Sequence, residues 1–255
     1  MDRPTRNCRL GGFRTATTTP VVHVARPTAL RHHAYHHIGS PMIPDLVVFD
    51  CDGVLVDTEG AIFEAIAASL TRHGLPMDPV DGAHVFTGST MPALRDKARD
   101  MSASLSDTWV DEVTEDIHAR IAQGVEVFDG VLDLIDALDA ADVPIYVASN
   151  GTMKRMSLSL GPSGIWDRLA GRILSCETFT AKPDPAMILH AIAQTGASPA
   201  RSFMVDDSIP GCQAGLNAGV RTIGFATEGQ DAQLSAIGAT VANSMADVRR
   251  LMLDQ

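Results

Sequence analysis

Lysine is nearly absent: Lys97, Lys154 and Lys182 are the only three in 255 residues. Lys and Arg together number 20 against 31 Asp and Glu, for a formal charge of −11. Six arginines and a single Asp fall in residues 1–41, so the remainder holds 14 basic against 30 acidic residues, or −16. A body that acidic repels phosphate backbones, which excludes nucleic acid as the expected partner. Cysteine is limited to Cys8, Cys51, Cys176 and Cys212, with no CxxC and no paired spacing. Such thiols read as reduced residues of a cytoplasmic protein, not as a disulfide framework. No apolar run reaches the length of a membrane span, so no membrane partner is expected. What remains is ordinary for a soluble globular chain, 45% hydrophobic and 20% charged. Its length suits one large domain or a domain with a smaller insert, and no internal repeat is visible.

The most informative stretch is Val47-Val48-Phe49-Asp50-Cys51-Asp52-Gly53. Residues 46–49 are a short apolar run rich in β-formers, which predicts a buried strand. Asp50 and Asp52 follow, and in extended backbone side chains two apart share a face, so the two carboxylates are expected to crowd each other. Like charges that close need a proton or a cation between them. A second acidic pair, Asp206-Asp207, follows a second apolar run at 203–205. Cys51 is expected to point away into the core.

Along the chain, residues 1–41 show no periodicity and hold five of the nine histidines. Their Arg-rich, acid-poor character fits a transit peptide, and the histidines fit a metal site or a vector remnant. The reading adopted is a disordered extension, translated from upstream of a start at Met42, that does no chemistry. Helical spacing at Ile62, Phe63, Ile66, Ala67 and Leu70 ends at Gly74 and Pro76. A second helix begins near Pro92, and a third carries Val110, Val113, Ile117 and Ile121. Residues 59–125 are thus expected to form an all-helical insert. Beyond 126, strands expected at 145–148, 173–174, 203–205 and 222–225 alternate with helices. That alternation predicts an α/β core of residues 42–58 and 126–255 built on a parallel sheet covered on both faces. The acidic motifs fall at the carboxyl ends of strands, where open α/β sheets bind ligands.

Four motifs in order carry a resemblance to the haloacid dehalogenase superfamily: Asp50-Cys51-Asp52-Gly53-Val54, Ser149-Asn150-Gly151, Lys182-Pro183-Asp184-Pro185, and Asp206-Asp207-Ser208-Ile209-Pro210-Gly211. The resemblance implies a Rossmann-like core with a small helical cap inserted after the first strand, closest to the phosphoglycolate phosphatase and β-phosphoglucomutase-like members. Converging carboxylates call for a hard divalent cation, and Mg²⁺ suits a site that also holds phosphate. By resemblance the Asp50 carboxylate, the Asp52 carbonyl and Asp207 are metal ligands, with Asp206 acting through water. Asp50 is the implied nucleophile that forms an aspartyl-phosphate, and Asp52 the implied acid and then base. Dehalogenases lack an acid at that second position, so Asp52 favours phosphoryl chemistry. Ser149, Asn150 and Gly151 are expected to bind phosphate, and Lys182 to balance its charge and that of the nucleophile. Thr58 resembles the hinge to the cap. The cap loop, residues 84–90, supplies Thr87, Gly88 and Ser89 as specificity candidates.

The mutases of this family carry a cap His where this chain has Ile62, a cap-loop Arg where it has Met91, and usually Ala where it has Asn150. Hydrolysis is therefore the expected reaction, on a small phosphorylated metabolite such as a sugar phosphate, a polyol phosphate or phosphoglycolate. A mutase is the alternative, and a catalytically silent binding module on the same fold is a further one. A phosphonate-cleaving relative would replace Asp52, and an ion pump would need membrane spans. The sequence leaves oligomeric state open.

Overall fold

In the computed structural model the described residues are 43–87, 89–227 and 229–253, all within one compact unit; the extension over 1–41 lies outside them. In chain order the elements begin with β1 (Leu46–Phe49), β2 (Val56–Asp57) and four helices, α1 (Glu59–Arg72), α2 (Pro79–Phe86), α3 (Met91–Asp100) and α4 (Trp109–Ile121). There follow β3 (Glu126–Val127), α5 (Val131–Ala140), β4 (Ile145–Ser149), α6 (Met153–Leu160), α7 (Ile165–Arg168), β5 (Ile173–Ser175) and α8 (Ala186–Thr195). The chain closes with β6 (Ser202–Asp206), α9 (Ile209–Asn217), β7 (Arg221–Phe225), α10 (Asp231–Ala236), β8 (Thr240–Ala242) and α11 (Met245–Leu253).

Six strands form one parallel sheet in the order β5-β4-β1-β6-β7-β8. The β1 run is buried on both faces, as a central parallel strand must be. Its side chains alternate: Val47 and Phe49 join Leu134, Leu138 and Val248 of α5 and α11, while Leu46 and Val48 join Met187, Ile188 and Ala214 of α8 and α9. Because β4 and β6 flank β1, the residues ending all three strands meet at one edge.

The helices α1 to α4 gather round their own apolar cluster, with Phe63, Ile66, Leu70, Phe86, Trp109, Val113 and Ile121 inside it. They leave and rejoin the core through a two-stranded antiparallel ribbon, Val56 opposite Val127 and Asp57 opposite Glu126. Lys154 on α6 grips Glu115 on α4 with Nζ–Oε distances of 2.9 and 2.7 Å. No helix among the described residues is long and apolar enough to cross a membrane.

Several elements depart from the sequence expectation. No helix is expected between Pro76 and Pro92, yet α2 forms: Pro79 occupies the first turn, where its missing N–H costs nothing, and the Asp78 carboxylate accepts from Val80 N at 2.9 Å. This helix absorbs residues 84–86 of the expected cap loop, which shrinks to 87–90. The Ser-rich α6 and the short β2, β3 and β8 carry too little periodicity to be read, and tertiary contacts define them.

In the helical cluster, buried Trp109 donates from Nε1 to Ser69 Oγ at 3.0 Å. Removing the acceptor strands that N–H, so Ser69→Ala should cost about 1–3 kcal/mol in denaturant unfolding. The same change made in a Trp109→Phe background should cost clearly less, and equal costs in both backgrounds would show that the bond contributes nothing.

Candidate active site

Strand β1 delivers Asp50 and β6 delivers Asp206 to neighbouring positions, and between them sits the Lys182 ammonium. Lys182 Nζ donates to Asp50 Oδ1 and to Asp206 Oδ2, both at 2.7 Å. All three groups are buried, Asp206 completely. The other Asp206 oxygen accepts from Ser208 N at 2.9 Å and Ser208 Oγ at 2.6 Å. Two glycines make this crowding feasible. At Gly211 a Cβ would stand 1.8 Å from Asp206 Oδ2, and at Gly53, whose φ is +82°, one would stand 2.3 Å from Asp207 Oδ2.

The electrostatics follow from this crowding. Burial pushes the Asp50 carboxyl up to about 7; Lys182 pulls it down and Asp206 adds to the rise. Burial, then Asp206 and Asp50, push Asp207 up to about 7 as well. Burial disfavours the Lys182 ammonium, but Asp50 and Asp206 outweigh it and hold the lysine charged well above its usual range. Ligand oxygens of Asp50, Asp206 and Asp207 all lie within 4.8 Å of one another. Three carboxylates against one ammonium leave a surplus of two negative charges, and the donors are all oxygen. This set fits a hard divalent cation.

The second motif lies across the edge. Ser149, ending β4, accepts from Gly151 N at 3.0 Å. Asn150 binds the Lys182 backbone twice: its Oδ1 accepts from Lys182 N at 2.8 Å and its Nδ2 donates to Lys182 O at 3.2 Å. This clamp, by which the second motif holds the third, is absent from the sequence reading.

Although its charge still helps raise the Asp50 carboxyl, Asp52 stands outside the Lys182-bridged cluster, because the chain leaves strand geometry at Asp50. Its Oδ1 accepts from Thr58 Oγ1 at 2.8 Å, and its Oδ2 lies 3.1 Å from an Arg155 guanidinium nitrogen. The same Arg155 nitrogen donates to Thr58 Oγ1 at 3.2 Å. Thr58 precedes α1, but its buried hydroxyl goes to Asp52 instead of capping the helix. Arg155 is the residue that sequence reading missed; its only signal is a cation four places after Gly151, on the first turn of α6. Cys51 is buried among core side chains as expected, and burial together with Asp52 pushes its thiol well up, so it is inert.

Above Asp52 and Asp207 opens a cavity of about 510 Å³. The core contributes Asp52, Thr58, Phe128, Arg155 and Asp207 to its lining, and the helices contribute Ile62, Phe86, Thr87, Ser89 and Met91 among others. Thr87 and Ser89 thus reach the chamber, while Gly88 lies outside the described residues.

A family model described as haloacid dehalogenase-like hydrolase matches residues 47–225. A 6-phosphogluconate phosphatase of Escherichia coli is 29% identical over 189 residues, covering 72% of this chain and 83% of that protein. A phosphoglycolate phosphatase of Agrobacterium fabrum is 30% identical over 190 residues, covering 72% and 81%. Among solved structures, a hydrolase of the same family from Deinococcus radiodurans with bound phosphate and sodium superposes with a TM-score of 0.71 at 30% identity, covering 82% of this chain and 95% of that one. The match runs from the first residues of β1 to the end of β7 and takes in every motif described above: the chain belongs to the haloacid dehalogenase-like hydrolase family.

Proposed function

We propose that this hydrolase is a Mg²⁺-dependent phosphatase of the cytoplasm that releases phosphate from a small phosphorylated metabolite. The observation that carries the reading is the cluster of Asp50, Asp206 and Asp207, with Lys182 bridging the first two and a separately held carboxylate, Asp52, in the lining of the chamber. Relatives named 6-phosphogluconate phosphatase and phosphoglycolate phosphatase support it.

Asp50 attacks phosphorus and forms an aspartyl-phosphate while the P–O bond to the alcohol breaks. Asp52, held by Thr58 and Arg155, gives its proton to the departing oxygen and then takes one from the water that hydrolyses the intermediate. Lys182 draws the Asp50 carboxyl toward its ionised form and offsets charge on the phosphoryl oxygens. The Ser149 hydroxyl and the Asn150 backbone N–H receive those oxygens, and the Gly151 N–H joins them by exchanging its present acceptor, Ser149 Oγ. Asp50, Asp207 and the Asp52 carbonyl would hold Mg²⁺, with Asp206, whose oxygens are spent on Lys182 and Ser208, acting through water. The cation supplies charge neutralisation for the transferring group. Residues 59–125 serve as a cap over the core of 42–58 and 126–255, excluding water and setting specificity. Ile62 and Met91 in the chamber wall leave no His or Arg of the mutase type there.

Mg²⁺-dependent hydrolysis of p-nitrophenyl phosphate should fall on the order of 10³-fold or more in Asp50→Asn, and Asp52→Asn should lose roughly 10²- to 10⁴-fold. Equal rates in wild type and Asp50→Asn would remove the nucleophile assignment. Asp50 and Asp207, both raised to about 7 from 3.8, bind their protons more tightly folded than unfolded. Their contribution to the stability of chelated protein is therefore full below about pH 4 and is lost as pH rises through about 7. Mg²⁺ takes the deprotonated carboxylates, so its addition should raise the melting midpoint more near pH 8 than near pH ~5. An equal rise at both pH values would place the cation elsewhere.

A further inference from the structure

The side of the chamber away from the acids has a one-sided chemistry. The helices present the partly exposed Ile62 and Met91 to it, backed by Phe63, Ile66, Phe86 and Leu94 from the buried centre of the helical cluster. Their polar contributions are the Thr87 and Ser89 hydroxyls, with Glu59 at the rim. No cation from the helical cluster lines the chamber among the described residues. The basic side chains there are committed elsewhere. Lys97 donates to Val85 O at 2.8 Å and stands over the Phe86 ring, and Arg95 pairs with Asp96. Arg99 binds Leu105 O and Asp107, Arg120 binds Glu64, and Arg72 binds Asp116. The one cation in the lining, Arg155, already faces Asp52 and Thr58. Against it stand Asp52, Asp57, Glu59 and Asp207.

We infer that the alcohol released by this enzyme is uncharged and carries an apolar flank that rests on the wall formed by α1, α2 and α3. The inference rests on the phosphatase reading and narrows it. A carboxylate in the leaving group that rested on this wall would be desolvated against aliphatic side chains, with only the Thr87 and Ser89 hydroxyls beside it and no cation of the helices to pair with, which is disfavoured. A phosphate dianion escapes this penalty because Lys182 and the cation-binding acids lie at the opposite end. Phosphoglycolate and phosphorylated sugar acids are then poor substrates, unlike those named for the relatives. Monoesters of alkyl or deoxygenated alcohols are good ones, because each methylene laid on the wall adds binding.

Matched esters test this in the Mg²⁺-loaded enzyme. The expected kcat/KM for ethyl phosphate exceeds that for phosphoglycolate by at least about tenfold, and it rises roughly threefold per methylene from ethyl to butyl phosphate. Placing a cation in the wall with Met91→Lys, at a partly exposed helix start, should shift the ethyl-to-glycolate ratio about tenfold toward the acid. Preference for phosphoglycolate in the wild type, lost in Arg155→Met, would overturn the inference and make Arg155 the receptor for a substrate carboxylate. An unchanged ratio in Met91→Lys would also overturn it, because the wall would then not face the leaving group. Either result leaves the phosphatase reading standing. Failure to hydrolyse any ester, p-nitrophenyl phosphate included, would remove that reading and this inference together.

Discussion

One buried ammonium makes the sheet edge tenable. Asp50 and Asp206 come from adjacent parallel strands, and the register that pairs β1 with β6 fixes how close they stand. Without Lys182 the two carboxylates would face each other in a water-poor setting, where repulsion is barely screened. The lysine arrives from a loop remote in sequence, and its position is set by its own backbone, held at both N–H and C=O by the Asn150 side chain. The order of dependence therefore runs from sheet register to carboxylates, to the lysine, to the loop after β4. The glycines at 53 and 211 are part of the same arrangement, since any side chain there would displace a carboxylate.

The α/β core was legible in the sequence because buried parallel strands leave unbroken apolar runs, and residues 46–49 and 203–205 are of that kind. The convergence of Asp50, Asp206 and Asp207 was legible because strand ends in such a sheet share an edge, while Lys182, on a loop, was legible only through the family resemblance. The chemistry around Asp52 was not. Spacing of two places Asp52 beside Asp50 only if the backbone stays extended, and here it turns, handing Asp52 to a threonine and an arginine from other elements. Arg155 is one arginine among many in a sequence; only the fold shows that α6 starts beside the first motif. Likewise α2 was not read, because its eight residues hold few apolar positions between Pro79 at its start and the loop that follows.

The helical cluster and the sheet have separate apolar centres, joined by the short β2–β3 ribbon and by side-chain contacts across the gap. A body with its own interior can shift as a unit without unpicking the sheet, and the chamber lies where the two bodies meet. Its contrasting ends follow from that construction. The core end takes its character from strand termini and is acidic, while the far end takes its character from apolar side chains at the margin of the helical cluster.

Lys154 and Arg155 are consecutive on α6, yet one holds Glu115 of the helical body and the other holds Asp52. A rotation of that single turn would loosen the grip on the helical body and re-aim the Asp52 carboxylate in the same movement. Kinetic effects of altering α6 will therefore not separate into affinity and turnover, because the wiring of the two runs through one peptide bond.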